Sequence, residues 1–357
     1  MNKGLKERTL IIPAAGKSSR YPNMKPKWLL THPTGKLMID MVLNSACYEK
    51  YNRTIITLLQ EHCEKYDADI ILKQIFGSSI ELLILESPTK SAAETIYETI
   101  VRSEITGQLT IKDSDCLVEV SYFPDREHIV GLTVNSKTPV ERLQQKSFII
   151  KNDDDVIVDI LEKEMVSNTI CLGVYSVDSE DFISAYKQIC CSDVYKHENE
   201  IYVSHVISYL ITCNSRVFEY VEADRFVDWG TIEEWYRELN QYSTYIFDID
   251  GVLLKNCGKY GSKNWSNYFE PIEENMTILK KISDHGNEII FMTARTEDYL
   301  QQFKQLMKQY DIKYKTIIAG CNHSKRTIIN DFAPTNPYPS CEALSIKRND
   351  HLGDYLK

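Results

Sequence analysis

Two short stretches of the chain concentrate side chains able to handle phosphate. The first is IIPAAGKSSRYPNMKPKWLL, residues 11–30. Ala14, Ala15 and Gly16 have little or no side chain, so consecutive backbone N–H groups there can close on an anion as a nest. Lys17, Arg20, Lys25 and Lys27 gather positive charge where a triphosphate would lie. The spacing is neither that of a Walker loop nor that of a dinucleotide fingerprint. The plainer reading is an ordinary strand-to-helix loop with solvated lysines. Three distant acids argue for more. LTIKDSD ends in Asp113 and Asp115, and FVDWGT supplies Asp228 ahead of a helix start at Thr231. Magnesium favours one or two carboxylates plus substrate phosphates, so two acids from separate strand ends could meet on one ion. Alone, each acid reads as a turn or cap residue. The choice between Asp113 and Asp115 as metal ligand stays open.

The second stretch is YIFDIDGVLL, residues 245–254. A buried strand here would end in Asp248 and Asp250. One such acid can attack phosphorus while the other protonates the leaving oxygen. A divalent cation would offset the repulsion between carboxylate and phosphate. A simple turn or a calcium loop are the alternatives. Further on, IIFMTAR places Thr293 at a strand end, where its hydroxyl and N–H can hold a phosphate. HSKRTIIND then offers Lys325 or Arg326 as a cation and Asp331 as a metal ligand.

Positioning these groups requires strands that end at the sites. TLIIPAA, TIITLLQ, IELLILE and QLTIKD are short apolar runs expected to be buried strands. EKYDADIILKQIF and SAAETIYETIVRSEI show helical spacing of apolar residues. Such alternation predicts a mostly parallel sheet covered by helices, with ligands beyond the carboxyl ends of the strands. Residues 118–159 read as an antiparallel excursion. A second alternation begins near Tyr245: strand TYIFDIDG, helix EENMTILKKISDHG, strand NEIIFMTAR, helix EDYLQQFKQLMKQY and strand RTIIND. The predicted fold class is α/β throughout, with domains at 1–242 and 243–357. The join NQYST lacks flexible-linker composition.

The motifs AAGKSSRY, KPKWLL, KDSD and DWGT resemble the signature of the sugar-phosphate nucleotidyltransferases over about residues 8–240, most nearly the phosphocholine cytidylyltransferase-like and capsule-locus members. Ser18 stands where the commonest pattern has a second glycine. The resemblance implies a Rossmann-like fold with a mixed sheet. It also implies attack of an acceptor phosphate on the α-phosphorus of a nucleoside triphosphate, with CTP favoured and Mg2+ as cofactor. It assigns Ala14, Ala15, Gly16, Lys17, Ser18, Ser19, Arg20, Lys27, Ser91 and Ala92 to the nucleotide. It assigns Glu162, Lys163 and Asn168 to a phosphorylated sugar, polyol or aminoalcohol, and Asp113, Asp115 and Asp228 to the metal. The ordered series Asp248, Asp250, Thr293, a basic residue and Asp331 resembles the haloacid dehalogenase superfamily over about residues 244–350. That likeness implies a second Rossmann-like domain with a minimal cap and phosphatase activity. It places Thr293, Ala294 and Lys325 or Arg326 on the phosphate, and a second Mg2+ on Asp248, Asp250 and Asp331. Together the likenesses imply a bifunctional enzyme making activated precursors of a surface polysaccharide. A non-catalytic second domain and a nucleotide sensor that does not turn over are the alternatives.

Composition restricts the remaining classes. The chain has 357 residues and a formal net charge of −10, a poor match to general nucleic-acid binding. Its 22 tyrosines are not interleaved with basic residues as a stacking platform. No apolar run reaches the length of a membrane span, and the start lacks a signal-peptide core, so a cytoplasmic protein is expected. Ten scattered cysteines read as reduced thiols. His205 and Trp229 are expected to pack, His62 and His323 to be exposed. A homo-oligomer is compatible with the sequence.

Overall fold

The computed structural model describes residues 7–18, 20–135, 140, 142–152, 154, 156–192, 200–256, 265, 269–331 and 341–356. The chain divides into two compact units, Met1–Trp235 and Tyr236–Lys357.

The first unit is built on a mixed sheet. Strand β1 (Arg8–Pro13) lies at its centre, with Leu10, Ile11 and Ile12 fully buried. It pairs in parallel with β2 (Arg53–Leu59) and with β4 (Gln108–Lys112). Beyond β2 lies β3 (Glu81–Leu85), a half-exposed edge strand rather than the buried one predicted, with Ile84 36% exposed. Helix α1 (Met38–Ser45) follows the first loop. The single helix predicted over 64–76 is two, α2 (Gln60–Tyr66) and α3 (Ala68–Phe76). Asp67 between them has φ +51°, a left-handed conformation that a short polar side chain tolerates and a continuous helix cannot contain. Helix α4 (Ala92–Arg102) returns the chain to β4, and its Ser91 cap accepts from Glu94 N–H at 3.1 Å.

The antiparallel excursion then appears. Strand β5 (Cys116–Glu119) pairs antiparallel with the later β11 (Arg225–Asp228). Strand β6 (His128–Thr133) and β4 flank β9 (Thr169–Asp178), both antiparallel to it. The hairpin β7 (Ser147–Lys151) and β8 (Ile157–Glu162) joins β9 through β7. Helices α5 (Ser179–Cys191) and α6 (Val203–Thr212) cover one face, and β10 (Glu219–Glu222) closes the far edge against β6. Helix α7 (Ile232–Asn240) runs through the boundary between the units. The core between sheet and helices joins Ile11, Ile55, Ile96, Ile111, Val177, Phe182 and Leu210. His62 is buried edge-on to Trp28, 5.8 Å between ring centroids, not exposed as its sequence context suggests. Trp229 packs fully buried between His32 and Trp235.

The second unit has three parallel strands in the order β12 (Thr244–Asp248), β13 (Glu288–Met292) and β14 (Thr316–Ile318). Helices α8 (Glu273–Asp284) and α9 (Gln301–Gln309) connect them, and Phe247, Leu279, Phe291 and Phe303 centre the core. The third strand is not RTIIND. Residues 326–331 form neither helix nor strand, and Ile329 is 92% exposed. The second unit carries the triplet Thr-Ile-Ile twice, at 316–318 and 327–329. The first copy follows α9 after a short connection and pairs with β13, as a βαβ return requires. Of the segment expected to form the minimal cap, residues 257–264 and 266–268 lie outside the described residues.

Candidate functional sites

In the first unit a cavity of about 790 Å3 opens at the carboxyl ends of β1 and β4. The loop after β1 forms one wall. It is fixed from within: Ala14 N–H donates to Thr57 O at 2.9 Å, and Trp28 Nε1 donates to Ala14 O at 3.0 Å. Ser18 has φ +49°, a left-handed turn that glycine adopts without steric cost. Its hydroxyl accepts from Lys27 N–H at 3.3 Å, closing the loop on itself. Tyr21 is 2% exposed, and its hydroxyl donates to Trp229 O and to Thr231 O, the latter at 2.9 Å. Burial, with the carboxylates of Asp115, Glu234 and Asp228 adding to it, drives the Tyr21 phenol far above its usual range. It therefore stays a donor and ties the basic loop to the loop carrying Asp228.

The acids meet on the opposite wall. Trp229 N–H donates to Asp115 O at 2.9 Å, and Gly230 N–H donates to Asp228 Oδ1 at 3.0 Å. A Cβ placed on Gly230 would lie 3.1 Å from Asp228 Oδ1, 3.4 Å from an Arg20 guanidinium nitrogen and 3.5 Å from Asp115 Oδ2. Two carboxylates and an arginine thus surround one point. Lys27 Nζ donates to Asp115 Oδ2, Arg20 stands 4.0 Å from the same oxygen, and Lys146 Nζ donates to Asp228 Oδ2. Burial opposes ionisation of Asp115, but the charge and hydrogen bond of Lys27 together with the charges of Arg20 and Lys146 outweigh it and hold the carboxyl below its usual range. Asp113 behaves oppositely: burial and the charge of Asp115 push its carboxyl up. It turns toward Gly173, where a Cβ would fall 2.1 Å from Asp113 Oδ2 and where φ is +68°. Asp115 and Asp228, rather than Asp113, form the converging pair. Hard oxygen donors in this number suit Mg2+ completed by phosphate. Among the described residues no group of three or more His, Cys, Asp or Glu is arranged to hold a metal ion by itself.

The far end of the cavity is set by the β7–β8 hairpin and the start of α6. Glu162 accepts from Ser147 Oγ, its cross-strand partner, and from Ser204 Oγ at 2.7 Å. Lys163 has φ +59° and donates through Nζ to Tyr202 Oη. The cavity is bordered by Ala14, Gly16, Lys17, Ser18, Arg20 and Lys27, by Ser91 and Ala92, by Asp113, Asp115 and Asp228, and by Glu162 and Lys163. Ala15 is not among them: it is buried against Leu59 and Leu85. Asn168 does not border the cavity either, and its carbonyl accepts from Val134 N–H at 2.8 Å beside β9. Ser19 lies outside the described residues. Sequence reasoning missed Lys146, Ser147, Tyr202, Ser204 and the link made by Tyr21. Only the hairpin register, Ser147 opposite Glu162, could have exposed the serine.

In the second unit β12 delivers Asp248 and the following turn delivers Asp250. Asp248 accepts from both terminal nitrogens of Arg326 at 3.3 Å. Arg326, not Lys325, is therefore the cation at this acid. Burial raises the Asp248 carboxyl, with Arg326 opposing. Asp250 is gripped by Arg295, Nε to Oδ2 at 2.9 Å and a terminal nitrogen to Oδ1 at 2.6 Å, and Arg295 is fully buried. Thr293 is also fully buried. Its N–H is taken by Ile318 O at 2.9 Å, so that N–H is not free for a phosphate, and its hydroxyl accepts from Arg295 N–H at 3.1 Å. Ala294 is half-buried beside it. Asp331 is exposed in the non-strand segment, and no third acid joins Asp248 and Asp250 among the described residues. The present arrangement therefore does not fit a metal held by these three acids. The loop itself is braced by the C-terminal segment. Asn349 N–H donates to Gly251 O at 2.8 Å, and Asn349 Oδ1 accepts from Asn256 N–H at 2.7 Å. No motif or spacing singles out Arg295 or Asn349 in the sequence.

No family model matches the chain, and no curated protein sequence does. Solved structures do match. A nucleoside-diphosphate-sugar pyrophosphorylase from Vibrio cholerae RC9 superposes with TM-score 0.55 at 19% identity, over 65% of this chain and 99% of its own. The inositol-1-phosphate CTP transferase of T. maritima gives 0.52 at 12%, over 66% and 95%. A UDP-glucose pyrophosphorylase complexed with UDP-glucose gives 0.51 at 14%, over 66% and 97%. At these identities the likeness is one of fold: a mixed α/β sheet of this kind. Among the described residues no helix is long and apolar enough to cross a membrane.

Proposed function

We propose that the first unit is a magnesium-dependent nucleotidyltransferase. An oxygen of the acceptor's phosphate attacks the α-phosphorus of a nucleoside triphosphate. The bond from that phosphorus to the oxygen bridging to the β-phosphate breaks, and pyrophosphate leaves. Such transfer needs in-line positioning and charge neutralisation more than covalent help. The observation that carries the reading is the convergence of Asp115 and Asp228 on one point beside the basic loop, with Lys27 on the same carboxylate. Gly16, Lys17, Ser18 and Arg20 hold the phosphates, and Ser91 with Ala92 presents the amino end of α4 to the nucleotide. Lys27 stabilises charge on the α-phosphate and the departing pyrophosphate. Asp115 and Asp228 would hold a magnesium ion, which would supply further charge neutralisation there. Glu162, with its two serines, and Lys163 orient the acceptor, a phosphorylated sugar, polyol or aminoalcohol. CTP is the favoured donor; the fold likeness to an inositol-1-phosphate CTP transferase supports that choice and a polyol phosphate acceptor.

The second unit, in this reading, hydrolyses phosphomonoesters with Asp248 as nucleophile and Arg326 on the phosphate, and Asp250 as acid and base. The grip of buried Arg295 on both oxygens of Asp250 favours a second reading, in which the unit binds but does not turn over. Hydrolysis of an aryl phosphate that disappears in Asp248→Asn supports the phosphatase; none with wild-type protein supports the binding module. The setting proposed is cytoplasmic synthesis of precursors for a capsular or surface polysaccharide.

The first-site reading is tested by thermal shift with CTP, UTP, GTP, ATP and dTTP, each with and without Mg2+. A ligand at a hundred times its Kd stabilises the native state by about 2.7 kcal/mol. One nucleotide that shifts the melt only with Mg2+, and not in Asp115→Asn, supports the reading. No shift with any nucleotide refutes it.

A further inference from the structure

The two acids that converge in the cavity each carry a lysine. Lys27 comes from the basic loop and has a task there. Lys146 comes from the turn before β7, belongs to none of the recognised motifs, and is given no role by the mechanism above. Yet its ammonium donates to Asp228 Oδ2, with side-chain exposures of 20% for Lys146 and 16% for Asp228. The other oxygen of Asp228 accepts from Gly230 N–H at 3.0 Å. Both oxygens of this carboxylate are therefore engaged by the protein itself. Asp115 is likewise engaged by Lys27. The two ammonium groups already balance the two carboxylates, and Arg20 adds a further positive charge 4.0 Å from Asp115, so a bare divalent cation gains little by approaching. A nucleoside triphosphate changes that balance, because its phosphates offer both lysines another partner. Lys146 is placed for such an exchange. Its carbonyl accepts from Lys163 N–H at 3.0 Å, and its neighbour Ser147 donates to Glu162, so it stands between the acid pair and the acceptor end.

We propose that Lys146 is an internal counter-cation of Asp228. It competes with the divalent ion for that carboxylate and yields only when nucleotide phosphate gives its ammonium a new partner. Metal entry is thereby coupled to nucleotide entry. This inference rests on the assignment of Asp115 and Asp228 to the metal, as in the proposed function.

The test uses Mn2+ alone as probe, with free ion counted by electron paramagnetic resonance on the full chain. Wild-type protein without nucleotide binds Mn2+ weakly. Lys146→Met, which keeps the length and removes the charge, binds it roughly tenfold more tightly or better, since a unit charge at hydrogen-bond range of a half-buried carboxylate is worth at least that factor. Lys146→Arg stays weak. Adding CTP narrows the gap between wild type and Lys146→Met. Lys146→Gln replaces Lys146→Met if the latter melts well below wild type. Equal Mn2+ affinity in wild type, Lys146→Met and Lys146→Gln overturns the proposal. If Asp115→Asn and Asp228→Asn leave Mn2+ binding unchanged in every background, the metal assignment itself has failed instead.

Discussion

Tyr21→Phe isolates the tie between the basic loop and the loop of Asp228. The ring is 2% exposed and phenylalanine fills the same volume, so no cavity term enters. What is lost is one hydroxyl proton shared by Trp229 O and Thr231 O. Thr231 O keeps Trp235 N–H as a donor at 3.0 Å, so one carbonyl, that of Trp229, loses the hydroxyl's hydrogen bond. A lost hydrogen bond that leaves a buried acceptor unsatisfied costs about 1–3 kcal/mol. Taking about 2 kcal/mol, a unit of this size should melt about 4–8 °C lower, at about 2–4 °C per kcal/mol. Three of the four tryptophans, Trp28, Trp229 and Trp235, lie in the first unit, so the fluorescence transition reports it. Mg2+-dependent nucleotide binding should weaken with the melt, since Lys27 and Asp228 are no longer held in one frame. A variant that melts within about 1 °C of wild type and binds nucleotide as well would refute the tie, because no term smaller than about 1 kcal/mol is available for an orphaned buried carbonyl.

Other perturbations separate the remaining contacts. Lys27→Ala should abolish pyrophosphate release while the far-ultraviolet dichroism stays that of wild type. Asp113→Asn should change the pH dependence of stability. The folded-state carboxyl is raised by burial and by Asp115, so its stabilising share is present at low pH and lost as pH rises through the raised value. Wild type should therefore lose more stability than Asp113→Asn between about pH 5 and about pH 8 in urea titrations. Gly173→Ala puts a Cβ onto the Asp113 carboxylate at a left-handed φ, and should destabilise by about 2 kcal/mol or more, read from the urea midpoint. Removing residues 347–357 strips Asn349 from the loop after Asp250 and should lower the melting transition of the second unit by several degrees, read by calorimetry.

Much of the first site could be read along the chain because its groups sit at strand ends, where sequence position fixes direction. Asp115 sits in the short turn between β4 and β5, Asp228 ends β11, and the apolar run of β1 leads straight into Ala14 and Gly16. The parts that escaped are long-range. Lys146 meets Asp228 across 82 positions and Arg295 meets Asp250 across 45, and neither pairing leaves a periodic trace. Asn168 does not border the cavity, because backbone pairing with Val134 sets it beside β9. The identical triplets at 316–318 and 327–329 show the limit of local pattern: only the length of the return from α9 selects the strand. The break at Asp67 was equally silent, since the apolar spacing continues across it.

The most direct measurement is pyrophosphate release. Wild-type protein, each of the five nucleoside triphosphates, Mg2+ and a panel of phosphorylated sugars, polyols and aminoalcohols are incubated together, with Lys27→Ala as reference. The account predicts stoichiometric pyrophosphate and nucleotide conjugate for one donor with one acceptor class, and none from Lys27→Ala. Pyrophosphate from no combination, or equal amounts from Lys27→Ala, would contradict it.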